Sequence, residues 1–422
     1  MEKARNIATL VVFVIILFGL CIAFFITPEV RRSQAERRLL ARAPQLSMAT
    51  VLSGEYMYAL DEYMQDQFPM RENFRMINAL TRFALGRRDT NGYYFIEGHL
   101  SALEFPLNEE AAHRNAAHLN SISQWLFQGH NIFYAVIPDK NYFLARRNGF
   151  PALDYDEMMR IMHHRMNAHT YIDLFSVLSI DDYYRTDIHW RQENLLPVAE
   201  KLMQYMGASV ESAHLQHNTN IGIISELAQL KYNANIGTNV GLTQLQYNSD
   251  ISWPLQRNYT SHTLSPFRGS FHGHAALPIP PDELVFLTNK YTENAIVYTL
   301  LEERGQIAFS RYVTIDGERL PLQVYMPELF GGMDSYDIFL AGAQAIMTIE
   351  VPNAATDREL IIFRDSFGSS IAPLLLGGYS KITLVDIRYI ATHNLPTFIE
   401  ITNQDVLFLF STTILNQHGL FR

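Results

Sequence analysis

The chain has 422 residues, 48 % hydrophobic and 18 % charged, with 33 Lys and Arg against 43 Asp and Glu and a formal charge of −10. That composition excludes a disordered, collagenous or coiled-coil protein and predicts one large folded body with insertions, or two domains. The acidic balance argues against a nucleic-acid partner, which needs a basic surface to neutralise phosphate, and the single cysteine, Cys21, excludes an intramolecular disulfide, a cysteine-rich zinc site and an iron–sulfur cluster.

Ile7 to Ile26 (IATLVVFVIILFGLCIAFFI) is an uncharged apolar run, long enough at about 1.5 Å per residue to cross a ~30 Å hydrocarbon core. Phe24, Phe25, Ile26 and Thr27 lead straight into Pro28 without a small-residue cleavage site, so residues 1–27 read as an uncleaved signal anchor. Lys3 and Arg5 precede the run, and Arg31, Arg32, Arg37, Arg38 and Arg42 follow it. A positive-inside count places the body in the cytoplasm, but long domains translocate largely regardless of charge, so the side stays open on charge alone.

Residues 28–90 read as a charged, helix-prone stalk and entry region, with two helices meeting at Pro69 within Glu55 to Leu85. The main domain, 91–422, opens with a hairpin at Tyr93 to Leu100 and a helix over Glu109 to Gln128. Asn131 to Ile137 (NIFYAVI), ended by Pro138, has the continuous apolar character of a buried strand. Helices follow at Asp156 to Ala168 and Arg191 to Met206. Later come the β-rich runs Glu359 to Phe363, Ile382 to Val385 and Val406 to Phe410, with the apolar stretch Ser369 to Leu376 between the first two. Alternating strands and helices predict a parallel, doubly wound α/β sheet. Residues from about 207 to 332, rich in Asn, Thr, Gly and Pro (NTNIG at Asn218, PIPPDE at Pro278), read as an irregular, partly β insertion; N-I-G recurs at Asn220 and Asn235, too little for a repeat.

The strongest chemical signal is Leu360 to Gly368, LIIFRDSFG, where a strand runs through Asp365 and Ser366 into a helix. A hydroxyl at such a turn projects beyond the carboxyl edge of the sheet, next to free N–H groups that can stabilise an oxyanion. The plainer reading is that Asp365 or Ser366 merely caps the helix. A serine nucleophile needs a base and an orienting acid, and Asp187-Ile188-His189-Trp190 supplies both if the segment is extended and residues two apart share a face. His163 and His164 are adjacent on a predicted helix and do not face each other, and His272-Gly273-His274, at alternate strand positions, lacks a recognisable third ligand, so no metal site is assigned. Three further residues could touch substrate: Lys140 after a strand, at an edge where α/β proteins bind ligands; Arg388, which could bind substrate oxygens or pair with Asp386; and Trp190, for which packing beneath His189 is favoured over stacking on a sugar.

Together these segments resemble the DHHW protein family and, more distantly, the alginate O-acetyltransferase group of SGNH-hydrolase-like proteins. The resemblance runs in order through Glu36-Arg37-Arg38-Leu39-Leu40-Ala41 before Pro44, LSGEY at Leu52, DQFPMRE at Asp66, YYRTDIHW at Tyr183, FLAG at Phe339, RDSFGSS at Arg364 and VDIRY at Val385. Ile188, Arg191 and Asn194 depart from the family pattern without removing a triad member. The resemblance implies an SGNH-hydrolase-like (flavodoxin-like) three-layer α/β/α sandwich and an extracytoplasmic body, with a triad of Ser366 as nucleophile, His189 as base and Asp187 as orienter. It also implies a serine acyltransferase that O-acetylates a cell-surface or exported polysaccharide. No cofactor is expected: acetyl-CoA is not available outside the cell and no phosphate-cradling Gly-rich loop is visible, so the implied acetyl donor is a multipass membrane O-acyltransferase partner. A carbohydrate O-acetyl esterase with the same triad and a non-catalytic polysaccharide-binding or assembly protein are the alternatives.

Overall fold

A computed structural model describes residues 2–208 and 259–422, apart from Arg304, Asp316, Asn353 and Ala355. The segments NTNIG at Asn218 and N-I-G at Asn235 lie outside the described residues. Helix α1 (Glu2–Ile26) has no buried residue and is long and apolar enough to cross a membrane.

An eight-stranded sheet forms the centre of the body. Its strands are β1 (Ile132–Ile137), β2 (Thr170–Tyr171), β3 (Ile296–Glu303), β4 (Gln306–Ser310), β5 (Ile346–Glu350), β6 (Glu359–Arg364), β7 (Lys381–Val385) and β8 (Asp405–Ser411), in the order β4-β3-β5-β7-β6-β8-β1-β2. From β7 to β2 the pairs are parallel. The other three strands are antiparallel, so the sheet is mixed where the alternation of elements predicts a parallel one. For β3 and β4 the reason is local: Glu303 pairs with Gln306 across a two-residue loop with Gly305 at φ 77°, a connection that permits a hairpin but not a crossover.

Strands β1 and β8 are buried along their whole length because both faces are covered, which is why they read as unbroken apolar runs. Alternate side chains go to opposite layers. Ile361, Phe363, Phe408 and Tyr134 pack against α4 (Glu109–Leu126) and α6 (Tyr155–Arg165), while Ile362, Leu407, Leu409 and Ala135 pack on the side of α7 (Leu196–Tyr205) and α9 (Gly368–Leu375). The fold is thus a three-layer α/β/α sandwich in which all the carboxyl ends of β1, β6, β7 and β8 open on one edge. The two further helices that matter below are α5 (Lys140–Asn148), directly after β1, and α8 (Ser270–Ala275).

Residues 31–47, expected to be helical, instead form the two-stranded ribbon Arg32–Ser33 against Arg38–Leu39 and then run without regular structure. Ion pairs take the place of helical turns here. Asp66 accepts from Arg38 and, at 2.8 Å, from the backbone of Ala41. Helices α2 (Glu55–Asp66) and α3 (Arg71–Ala84) follow, separated at Pro69. The His272-Gly273-His274 segment lies in α8 rather than in a strand, because Gly273 is pressed onto the ribbon: a Cβ there would stand 1.6 Å from the Ala35 carbonyl oxygen.

Candidate active site

Strand β6 ends at Arg364, and the chain turns through Asp365, Ser366 and Phe367 into α9. Asp365 holds the turn, accepting from the Phe367 N–H at 3.1 Å with one oxygen and from the Ser411 N–H, at the end of β8, at 2.8 Å with the other. Gly368 lets α9 begin there, since a Cβ would lie 2.6 Å from that of Arg364. Asp365 therefore fixes the turn and leaves the Ser366 hydroxyl free to point off the sheet edge.

The second half of the site comes from the loop after Tyr183. The segment is not extended as the sequence spacing suggests; it is a run of bends closed by a bridge between Tyr183 and Trp190. Its shape is imposed by buried charges. Thr186 donates to Asp282 through its N–H at 2.8 Å and its hydroxyl at 2.6 Å, and Lys140 Nζ donates to the carbonyls of Tyr184, Arg185 and Asp187 at 2.7, 3.1 and 3.1 Å. Gly269 permits close approach from the other side, because a Cβ there would stand 2.3 Å from that of Asp187.

The bends bring three side chains into one hydrogen-bonded line. Asp187 Oδ1 accepts from His189 Nδ1 at 2.6 Å and from the His189 backbone N–H at 3.0 Å, and His189 Nε2 lies 2.7 Å from Ser366 Oγ. The other Asp187 oxygen accepts from the Ser270 N–H at 2.6 Å and from Arg37 Nη2 at 3.3 Å. Burial works against the Asp187 charge, but the His189 ring, these N–H donors and Arg37 outweigh it and hold the carboxyl well below its usual range. The His189 ring is stacked on Tyr336, centroids 3.8 Å apart and planes 5° apart. Tyr336 is itself tied down: its hydroxyl donates to Ser370 Oγ at 2.7 Å, and Trp190 Nε1 donates to the same oxygen at 2.8 Å.

The softer sequence candidates take different places. Trp190 is fully buried, but beside the serine turn rather than beneath the histidine: its ring meets Phe367 edge to face and its Nε1 donates to the Phe367 carbonyl and Ser370 Oγ, while Tyr336 is the ring stacked on His189. Lys140 is 2 % exposed, its three N–H donors spent on backbone carbonyls. Arg388 makes a two-pronged pair with Asp386 at 2.8 and 2.6 Å. His272 Nε2 is 3.2 Å from the Ile279 carbonyl and His274 is stacked on Tyr93, so the two rings are held apart; among the described residues no three His, Cys, Asp or Glu converge as a metal set.

Several residues of the site lie outside the triad segments, and of these Arg37 and the FLAG segment enter the sequence reading only through the family resemblance, with no role assigned. Arg37, at φ 54° in the turn of the stalk ribbon, bridges Asp187 and Asp334. The FLAG segment is three successive left-handed residues, Leu340, Ala341 and Gly342 at φ 58°, 53° and 76°, and a Cβ on Gly342 would lie 2.2 Å from Asp337 Oδ1. Asp337 is pushed up to about 7 by burial and by Asp334, against the opposing pull of Arg37 and His189. A carboxyl raised above its ordinary 3.8 binds more protons in the native than in the unfolded chain, so its contribution is complete below about pH 4 and is lost as pH rises through about 7. Urea midpoints at pH 4.5 and 7.5 are therefore expected to differ less in Asp337→Asn than in the unaltered protein; an unchanged difference would remove Asp337 from that titration.

The fold is similar to that of a DHHW family protein from Eubacterium siraeum, with 20 % identity, 79 % of this chain and 94 % of that one covered, and a TM-score of 0.51. It is similar also to PatB1 of Bacillus cereus, in a structure with a sulfonyl adduct, with 15 % identity, 78 % and 97 % coverage and a TM-score of 0.50. The O-acetyltransferase domain of Pseudomonas putida AlgJ stands further off, at 11 % identity, 77 % and 92 % coverage and a TM-score of 0.41. No protein-family profile and no curated protein sequence matches the chain. At these identities the likeness is one of fold, and the fold is the one the DHHW resemblance implies.

Proposed function

We propose that the chain is a membrane-anchored, extracytoplasmic serine acyltransferase that O-acetylates a cell-surface or exported polysaccharide through an acyl-Ser366 intermediate. The observation that carries this reading is the unbroken line Asp187–His189–Ser366, with the hydroxyl at a strand-to-helix turn and both hydrogen bonds within 2.7 Å. In the first step Ser366 Oγ attacks the acyl carbonyl of the donor while His189 Nε2 takes its proton; collapse of the tetrahedral intermediate breaks the bond to the leaving group, which receives that proton. In the second step His189 takes the proton of a sugar hydroxyl, whose oxygen attacks the acyl-serine, and returns it to Ser366 Oγ as the ester forms. Asp187 fixes the ring orientation and stabilises the imidazolium in both steps. The N–H groups of Phe367, Gly368 and Ser369 are spent inside the turn, which leaves the Ser366 N–H outside that network and available to the oxyanion. The acetyl group, the extracytoplasmic side, the polysaccharide acceptor and a multipass membrane O-acyltransferase as donor rest on the family resemblance.

The test is a reaction of the purified full-length chain with p-nitrophenyl acetate, with and without oligosaccharide acceptors, read by intact mass and by product analysis. An acetylated protein and an O-acetylated saccharide support the reading. Release of acetate alone at saturating acceptor makes the protein an esterase. Folded protein that is neither acylated nor active with any ester removes the catalytic reading.

A further inference from the structure

Helix α3 carries an apolar stripe on its outer side. Its inward side carries Arg71, Arg75, Ala79 and Phe83, and the two guanidiniums, 18 % exposed, pair with Glu36 at 2.8 and 3.2 Å. Arg75 also donates to the Gly273 carbonyl at 3.0 Å. The opposite side presents Phe74, Ile77 and Leu80, continued past the helix ends by Met70 and Leu85, all between 42 % and 80 % exposed. These positions recur at helical spacing, so they form an apolar stripe turned away from the protein, while the inward side mixes the two paired arginines with Ala79 and Phe83, which pack in a small apolar cluster. A water-facing helix presents polar residues on its outer side. The stripe also belongs to a wider concentration: thirteen large apolar side chains are exposed between residues 46 and 85, against nine among the described residues from 86 to 422. Scattered exposed apolar residues need no explanation, but a contiguous set of this density does.

Continuity with α1 identifies what covers the stripe. Phe24, in the last turn of α1, meets Tyr63 of α2 edge to face with centroids 5.8 Å apart, and the Tyr63 hydroxyl donates to Glu29 at 2.8 Å. Gln67, in the turn that leads into α3, grips the backbone of Val30 with bonds of 2.9 and 3.0 Å. The start of α3 is thereby held against the chain just past the end of the apolar run. We infer that the outward face of α3 lies in the lipid interface of the membrane that α1 enters, a second and non-spanning contact beside the anchor. The exposed Arg82 and Arg87 border the stripe where lipid phosphates would meet it. The inner side of the same helix reaches the site through Arg75 and Glu36, whose neighbour Arg37 touches Asp187, so seating this face fixes the triad relative to the bilayer surface. The inference rests on α1 crossing a membrane and not on acyl transfer.

The experiment uses the full chain with Cys21→Ser, single nitroxide-labelled cysteines at Ile77, Leu17 or Ile307, and dilute proteoliposomes of phosphatidylcholine and phosphatidylglycerol. Collision rates with oxygen, which partitions into lipid, and with a water-soluble nickel chelate are read at each site. The label at Ile77 is expected to behave like that at Leu17, oxygen-accessible and protected from nickel, with Ile307 reversed. A label at Ile77 as open to nickel as that at Ile307 overturns the inference. So does one shielded from both reagents with spin–spin broadening, which would mean that a second copy covers the face, or a label at Leu17 that is itself in water.

Discussion

Ser366→Ala is expected to lower turnover of an activated acetyl ester by about 10⁴-fold or more and to abolish the acyl-enzyme mass, with an unchanged melting temperature. The size follows from the position. Ser366 Oγ has one hydrogen-bond partner among the described residues, His189 Nε2, and the turn around it is held by Asp365 and the backbone rather than by the hydroxyl. Removing the oxygen therefore removes the nucleophile and little else. His189→Ala is expected to cost as much, and the double variant no more than either alone, because a base without its nucleophile has nothing to deprotonate. A sulfonyl fluoride, which needs an activated serine, should add its mass to the unaltered chain and to neither variant. Full additivity of the two losses, or a sulfonyl adduct on Ser366→Ala, would remove Ser366 from the chemistry.

The two ends of this arrangement were not equally legible in the sequence. The turn at Ser366 was, because a buried parallel strand is an unbroken apolar run and the helix after it begins at a glycine the close approach demands. The pairing of Asp187 with His189 was legible too, although for a reason that the structure changes: a bend stabilised by Asp282 and Lys140 brings them together, not a shared strand face. The antiparallel edge of the sheet was hidden because β3 and β4 lie in the stretch from about 207 to 332, which reads as an irregular, partly β insertion rather than as part of the central sheet. Arg37 was invisible as a site residue since it is 150 positions from Asp187, and only the folding of the ribbon onto α8 makes them neighbours. Tyr336 carries no spacing signal at all; its role as the platform under His189 is purely tertiary.

Lys140→Met is expected to destabilise the protein by about 3 kcal/mol and to lower kcat with little change in KM. The ammonium donates to three carbonyls of the loop that carries Asp187 and, among the described residues, is the only donor to those of Tyr184 and Asp187, the Arg185 carbonyl accepting also from the Leu100 N–H at 2.8 Å; carbonyls left unpaired cost ~1–3 kcal/mol each. Against that stands the relief of burying a charge, which keeps the net loss below the sum. Burial pushes the Lys140 ammonium down from 10.5 to about 7, against the attraction of Asp187 and Asp282. Between those values the unfolded chain holds a proton that the native one has released, so the stability difference between the unaltered protein and the variant should grow as pH rises from about 7 towards 10.5, by at most about 1.4 kcal/mol per pH unit. A lysine that bound substrate at the sheet edge would give the opposite pattern, a raised KM with the melting temperature and its pH dependence untouched. Chemical denaturation of both proteins at pH 7 and 9, with steady-state kinetics at pH 7, separates a strut beneath Asp187 from a ligand contact. If the strut holds, the triad's geometry depends on an amino group buried behind it as much as on the three residues in line.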